Sequence, residues 1–466
     1  MTTDAVGGQP ADIEAIPYPS PAVGWFATIT LAFLYWMSML DRFIISLLID
    51  PIKADLGLSD VQFGLLQGVA FMISFTLFGF IFGALADRRD RRRLIYIGVT
   101  VWSIASAACG LAQNFWHLLV ARAGLGAGEA SLNPCATSMI SDLFPRARLT
   151  TAMAVYSMGA TVGSGTALML GGAIIHWVSG LGEIVLPVVG QLAVWQAVFL
   201  IVGLPGLLFA FIVFVFPEPM RRGAATAPIQ HAGWLTAYGG LFAFMASHRR
   251  FYVAHYSGFT LAAALVTGCV GWYPVHMMRA HGWSQGETGF YLGLALLLAG
   301  LAGKLVCGWL VDMLYRRGYR DGPLRWYATC LLLAVPPGVY ATTSGSPVLF
   351  LVVIGIFVTL ITGMQACALS SLNMVTPNHL RGSGVAVFTT VVGLLGSAGG
   401  SVAIPFIAQT FYSGDSAIGY GMATLMAIAC PLAAAALFMG MPAMRRAMLE
   451  YDSGGESSRS TQTMRL

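Results

Sequence analysis

One short motif occurs twice, 225 residues apart, in a chain that is otherwise almost wholly apolar. The first copy reads Gly83-Ala84-Leu85-Ala86-Asp87-Arg88-Arg89-Asp90-Arg91-Arg92-Arg93, and the second reads Gly308-Trp309-Leu310-Val311-Asp312-Met313-Leu314-Tyr315-Arg316-Arg317. Each follows a long apolar stretch and ends in a cationic turn. Such a repeat implies two units of one kind set side by side, the plan on which many membrane proteins place a binding site between halves. Only 10% of the residues are charged and 57% are hydrophobic, which argues against a soluble globule.

Twelve apolar stretches are long enough to cross a bilayer as helices. They fall at 24–48, 60–86, 94–113, 115–141, 149–176, 194–216, 251–279, 285–313, 324–343, 346–375, 382–410 and 417–441. The widest interruption, 217–250, holds Pro217, Pro219, Pro228 and a set of arginines. The expected fold class is therefore an all-α membrane protein of twelve transmembrane helices in two pseudo-symmetric six-helix bundles. The bundles occupy 23–216 and 251–444, joined by a cytoplasmic linker at 217–250. Residues 1–22 carry Asp4, Asp12, Glu14 and four prolines without the basic start of a cleavable signal. They read as a disordered cytoplasmic tail, and 445–466 reads as a second one.

Charge placement supports the count. With both termini inside, cytoplasmic segments hold 20 of the 25 lysines and arginines. External loops hold Lys53 and Arg279, while Arg42, Arg122 and Lys304 lie within apolar stretches. That bias orients the chain in an inner membrane. Glu183, Glu287 and Asp415 fall in or near external loops and read as solvated. The seven cysteines (Cys109, Cys135, Cys269, Cys307, Cys330, Cys367 and Cys430) all sit in apolar stretches without metal-ligand spacing, so they read as small apolar fillers and no metal site is expected.

A second echo supports duplication. Pro145-Arg146-Ala147-Arg148 precedes Ala154-Val155-Tyr156, and Pro377-Asn378-His379-Leu380-Arg381 precedes Ala386-Val387-Phe388. Both following helices are rich in glycine, at Gly159, Gly163, Gly165, Gly171 and Gly172 in one and Gly393, Gly396, Gly399 and Gly400 in the other. Small residues let helices approach closely in lipid. They suit either ordinary packing or a surface that rocks during transport.

A charge at membrane depth is costly, which makes Asp41, Arg42, Arg122, Glu129 and Lys304 functional candidates. Arg122 and Glu129 are seven residues apart and share one helix face. Asp41 and Arg42 point about 100° apart, so one of them at most can fully face a given cavity. Four of the five charges lie in the N-terminal half; the C-terminal half adds His255 and His276 as titratable companions. One reading is a proton switch in which Glu129 and Asp41 compete for Arg122, with the proton as coupling ion. The other is a fixed Arg122–Glu129 ion pair. Arg122 also suits an anionic headgroup. The substrate-binding set is then Arg122, Glu129, Tyr35, Gln67, Phe71, Tyr156 and Lys304, with Trp272 and Tyr273 as further apolar wall. The basic turn at 88–93 suits anionic lipid surfaces.

The Gly83–Arg93 turn resembles the most characteristic motif of the major facilitator superfamily, and Arg122-Ala123-Gly124-Leu125-Gly126-Ala127-Gly128-Glu129-Ala130 resembles its second. The resemblance implies the major facilitator fold, with Gly83, Asp87, Arg88, Arg92, Gly308 and Asp312 as a conformational gate in which Asp87 meets a neighbouring helix end. The same arginines also set topology. More narrowly, Asp41-Arg42, Gly64-Leu65-Leu66-Gln67, Arg122 through Ser131, Asp142-Leu143-Phe144 and Gly163-Ser164-Gly165 resemble the Spinster family. That family is linked to export of sphingolipids and lysophospholipids, with proton dependence in some members. The chain differs from animal relatives at one point: spans 7, 9, 10, 11 and 12 contain no Asp or Glu. The resemblance implies a functional monomer that moves an amphipathic lipid-like substrate by alternating access, in a bacterial inner membrane, with membrane lipids as partners and no cofactor beyond the proton.

A multidrug exporter of the same superfamily is the main alternative, although its span 5 signature has Gly-Pro where Gly163 is followed here by Ser164. No phosphate-binding Gly-x-x-x-x-Gly-Lys run exists for ATP hydrolysis, and His117 has no partner motif for catalysis, so an enzyme is not expected.

Overall fold

A computed structural model of the chain describes residues 18–86, 88–186, 190–221, 234–377 and 380–463. Among them, nine helices are long and apolar enough to cross a membrane: Pro21–Leu47, Asp60–Ala86, Thr151–Ser179, Val194–Val215, Arg249–His281, Gln285–Arg316, Pro347–Val375, Arg381–Phe411 and Ala417–Leu449. The other three crossings are Arg91–Cys109, Gly322–Thr343, and a broken helix of Phe115–Glu129 followed by Leu132–Leu143. Together they occupy the twelve expected places and are numbered here as spans 1–12 in chain order. The break in span 4 has a local cause, since Pro134 lacks the N–H that would bond to the Ala130 carbonyl.

Several boundaries differ from the sequence expectation. Residues 1–17 of the expected tail lie outside the described residues. Span 1 begins at Pro21, inside that tail, because a proline suits the first turn of a helix, where no N–H is required. The linker carries a helix, Trp234–Ser247, and the last helix runs Ala417–Thr463, through the segment read as a tail. Between spans 5 and 6 an antiparallel hairpin pairs Ile184–Leu186 with Gly190–Leu192. Glu287 is exposed, as expected, and also caps its own helix. It reaches back to the Ser284 backbone while the Ser284 hydroxyl accepts from its N–H, closing the first turn of span 8.

The two halves meet along two seams. In one, spans 5 and 8 run side by side as regular α-helices. A side chain at Gly289 would run into the Leu168 carbonyl, so the backbones touch there. In the other, spans 2 and 11 meet, and each carries a six-residue π-helical stretch, Leu65–Ala70 and Val392–Ser397. Such stretches widen a helix locally and recur at functional sites. The glycines of span 5 divide by face. Gly159, Gly163 and Gly171 abut span 1 within the half, while Gly165 and Gly172 abut span 8 across the seam. Packing and inter-half contact are thus both served by one helix.

The halves are not parallel. Toward the end that carries Asp50 and Asp60, one apolar core runs across both, joining Ile44, Leu47, Phe63 and Leu168 to Tyr273, Leu292 and Ile404. Toward the end that carries the basic turns, the N-terminal half keeps a separate core around Leu31, Leu94, Trp102 and Met139. The molecule is closed at the first end and splayed at the second.

Candidate functional site

Between the halves lies a cavity of about 390 Å³, within the size range of small-molecule sites. Its walls come from spans 1, 2, 5, 7, 8, 10 and 11. Apolar groups dominate, including Met39, Phe71, Met72, Leu296 and Val358, with hydroxyls at Thr161, Ser164, Thr267, Thr362, Ser397 and Ser401 and an amide at Gln67. The π-helical stretches account for part of this lining, since they turn Gln67, Gly68 and Ser397 toward the space. Two charged side chains line it, Arg42 from span 1 and Lys304 from span 8. Both are cations.

Behind the wall lies a buried ionic cluster. Glu129 is 2% exposed and forms an ion pair with Arg42. The Arg42 guanidinium also lies over the Phe71 ring at 4.6 Å and the Phe75 ring at 5.4 Å. Cation–π contact of this kind holds a guanidinium in place without neutralising it. Asp41, one residue earlier, is turned away from the cavity and accepts a hydrogen bond from the Ser106 hydroxyl on span 3. Arg122 is fully buried and donates through Nη1 to the Asp41 carbonyl at 3.5 Å, while its Nε and Nη2 have no partner; nor does Glu129 Oε1.

This corrects the expected pairing. Glu129 is not bonded to Arg122, and neither carboxylate side chain is. The physical reason is axial distance: seven residues share a helix face but stand about 10.5 Å apart along it, and only neighbours three or four residues apart meet directly. Span 1 crosses at the level of Glu129, so the glutamate finds Arg42.

Of the expected substrate-binding set, Gln67, Phe71 and Lys304 line the cavity and the other four do not. Arg122 and Glu129 sit behind it. Tyr35 stacks on Tyr156 with ring centroids 5.1 Å apart, and the Tyr156 hydroxyl donates to Asn133 Oδ1 at 2.6 Å, which makes these two rings part of the N-terminal core. Trp272 donates from its indole to the Ser401 carbonyl at 2.9 Å, and Tyr273 is fully buried; neither lines the space. His255 hydrogen-bonds the Ala368 carbonyl and the Ser371 hydroxyl, both at 3.0 Å, inside the C-terminal half. His276 is buried against Phe350 and His281, away from the cavity.

The closed end is held by an ionic cluster that sequence reading had treated as topology. Arg279 of span 7 donates from Nε and Nη2 to Asp50 at 3.0 and 2.5 Å, and from Nη1 and Nη2 to Asp60 at 2.9 and 2.8 Å. Lys53 also pairs with Asp60. Gln285 adds a second inter-half bond, to the Leu47 carbonyl at 3.2 Å. The signal available in the sequence was a single external arginine in one half with two aspartates at helix ends in the other.

At the splayed end, Asp87 lies outside the described residues. Arg88 is exposed, as is Asp312, and Gly83 and Gly308 face open space. The buried member of the first basic turn is Arg91, which was not singled out. It donates to Asp142 at 2.5 Å, Glu218 at 2.7 Å, Ser138 at 2.9 Å and the Pro219 carbonyl at 2.8 Å. Arg92 donates to the Phe216 carbonyl at 2.9 Å. Together they fasten the start of the linker to spans 3 and 4.

A family match to the Major Facilitator Superfamily covers residues 31–401. The chain is 26% identical over 441 residues to an MFS-type efflux pump of Mycolicibacterium smegmatis, covering 92% of this chain and 95% of that protein. It is 25% identical over 300 residues to Protein spinster of Drosophila melanogaster, covering 63% of this chain and 46% of that protein. In structure it is similar to a bacterial homologue of the human lysosomal transporter Spinster in an inward-facing, unoccupied conformation, with a TM-score of 0.77 and 25% identity over 93% of this chain and 99% of that one.

Proposed function

The chain belongs to the major facilitator superfamily, in its Spinster branch, and from that premise we propose that it is a proton-coupled secondary transporter of an amphipathic, lipid-like molecule working by alternating access. It is a transporter and not an enzyme. The observation that carries the finer reading is the Arg42–Glu129 pair at the wall of a cavity closed at one end. Arg42 touches the cavity and Glu129 does not, so the arginine is the shared element between substrate and carboxylate. A substrate that takes Arg42 leaves Glu129 short of its partner in a low-dielectric setting, where a carboxylate gains affinity for a proton. Proton and substrate are thereby linked through one side chain. Asp41, held by Ser106 and next to Arg42 in the chain, is the second proton-carrying candidate.

The basic turns orient the splayed end toward the cytoplasm, both termini with it, in a bacterial inner membrane. On this reading the structure is the inward-open state, sealed outside by Arg279 with Asp50 and Asp60. The protein is read as a monomer, a reading supported by one chain supplying both the cavity lining and the Arg279–Asp50–Asp60 cluster. The test is uptake by purified protein in liposomes, with a lysolipid and an imposed pH gradient. Gradient-driven movement is expected in the wild type and at least tenfold loss of the gradient effect in Glu129→Gln and Asp41→Asn, normalised to protein. Full gradient response in both variants would remove the proton switch.

A second reading is a multidrug exporter. The largely apolar wall and the likeness to the M. smegmatis efflux pump favour it. Movement of drugs with no movement of lipids in the same assay would replace the first reading with this one.

A further inference from the structure

The charges that reach the cavity are unbalanced. Arg42 and Lys304 line it, one from each half, and among the described residues no Asp or Glu does. Counting the cluster behind the wall, Arg42, Arg122 and Lys304 face Asp41 and Glu129, which leaves one net positive charge at membrane depth. The surplus belongs to Lys304. Its hydrogen bond is to the neutral hydroxyl of Thr161, across the seam between spans 8 and 5. The carboxylates of its own span are remote: Asp312 is eight residues away and Glu287 seventeen, about 12 and 25 Å along the helix. Spans 7, 9, 10, 11 and 12, which surround it in the C-terminal half, contain no Asp or Glu.

Lys304 is exposed to the open cavity, where water meets its ammonium; once the cavity closes around it, the charge is expensive unless something negative meets it. Arg42 differs in that it already has Glu129, but its guanidinium remains open to the cavity and is suited to a second, oxygen-rich anion. The hydroxyls of Thr161, Ser164, Thr362 and Ser401 supply further donors on the same walls, and Met39, Phe71, Leu296 and Val358 supply apolar surface beside them.

We propose that Arg42 and Lys304 form an anion clamp across the two halves, and that the transported molecule carries a single negative group, a phosphodiester or a carboxylate, on an apolar body. This rests on the transport reading and narrows its substrate class. A cationic amphiphile such as a sphingoid base would raise the local charge to two, and a zwitterion would bring an ammonium for which the cavity wall offers no carboxylate. Because the clamp residues come from opposite halves, a bound anion draws the halves together where Lys304 otherwise holds only Thr161. Occupancy and closure are coupled by the same two side chains.

The experiment is equilibrium binding to the full-length protein in detergent with three probes of equal chain length: lysophosphatidylglycerol (anionic), lysophosphatidylcholine (zwitterionic) and sphingosine (cationic). Glucuronate serves as a small anion without an apolar body. The wild type is expected to prefer the anionic lipid over the zwitterion by about tenfold or more, the scale of one charged hydrogen bond. Lys304→Gln should erase that preference and Lys304→Arg should keep it. The wild-type headgroup series stands even where a variant does not fold. Equal affinity for all three lipids, or a preference that survives Lys304→Gln in folded protein, would overturn the clamp while leaving the amphipathic reading intact. Binding of glucuronate alone, lost in Lys304→Gln, would keep the clamp and overturn the amphipathic reading.

Discussion

The two halves share a helical plan and differ in chemistry. At the splayed end, the N-terminal half clamps span 3 to the start of the linker with a buried arginine, Arg91, held by Asp142 and Glu218. The matching corner of the C-terminal half, at the start of span 9, has the opposite sign. There a buried aspartate, Asp321, is held by Arg445 of span 12 at 2.8 Å and Arg325 at 3.4 Å. The same joint is closed in both places by an ion pair, with the charges exchanged. At the closed end of the seam the N-terminal half brings Asp50 and Asp60 and the C-terminal half brings Arg279, whereas deeper in the cavity each half brings a cation, Arg42 and Lys304. Duplication preserved where a polar contact is needed and left open which side supplies the acid.

The corner comparison makes unequal predictions, because exposure differs. Arg91 is almost wholly buried among three helical ends and the linker, so Arg91→Ala leaves two carboxylates facing an empty site. A loss of about 3–5 kcal/mol is expected, read as a fall of several degrees in the melting temperature of the detergent-solubilised protein. A fall no larger than that of a surface arginine would break the contrast between the corners.

Arg279→Gln should come next. It removes five bonds to two carboxylates at the closed end, and partial exposure reduces their worth to about 1–3 kcal/mol. That corresponds to a shift of about five- to 150-fold toward opening at that end. Labelling of single cysteines placed beside Asp50 and Gln285 would report it as faster modification, and unchanged rates would show that the apolar core alone seals this end.

Asp321→Asn keeps the shape of the C-terminal corner but removes its charge, and a loss of about 1–2 kcal/mol is expected. Arg445→Ala should cost least, under about 1 kcal/mol, because its side chain is 47% exposed and solvent replaces it. If these two changes cost as much as Arg91→Ala, the corners are equivalent in energy as well as in place.

The His255→Gln change tests the same asymmetry in function. His255 lies inside the C-terminal half, bonded to Ala368 and Ser371, and touches neither cavity nor carboxylate. Gradient-driven transport per folded protein should stay within about twofold of wild type, against at least tenfold loss in Glu129→Gln. A comparable loss in both would place coupling chemistry in both halves.

Much of the fold is legible in the sequence. The twelve crossings follow from length and hydropathy, since a bilayer leaves little choice of secondary structure. Arg42, Gln67, Phe71 and Lys304 were legible as candidates because polar or aromatic groups at depth need a reason. The aromatics misled. Tyr35 and Tyr156 look like cavity wall in sequence but stack on each other in the core, and no periodicity separates those outcomes. The π-helical stretches of spans 2 and 11 were also hidden, because the extra residue per turn arises where two helices press together and leaves no composition of its own.

What the sequence by itself determined is the membrane plan: the number of crossings, the duplication, the placement of basic residues and the identity of the few charges buried at depth. Those follow from solvation, which acts on each segment separately. Tertiary structure alone decided which charge met which. Glu129 went to Arg42 and not to Arg122, Asp41 to Ser106, and Arg279 to two aspartates more than two hundred residues away. Pairing depends on distances of a few ångströms between helices that are remote in the chain, and it was the crossing of span 1 at the level of Glu129 that set it.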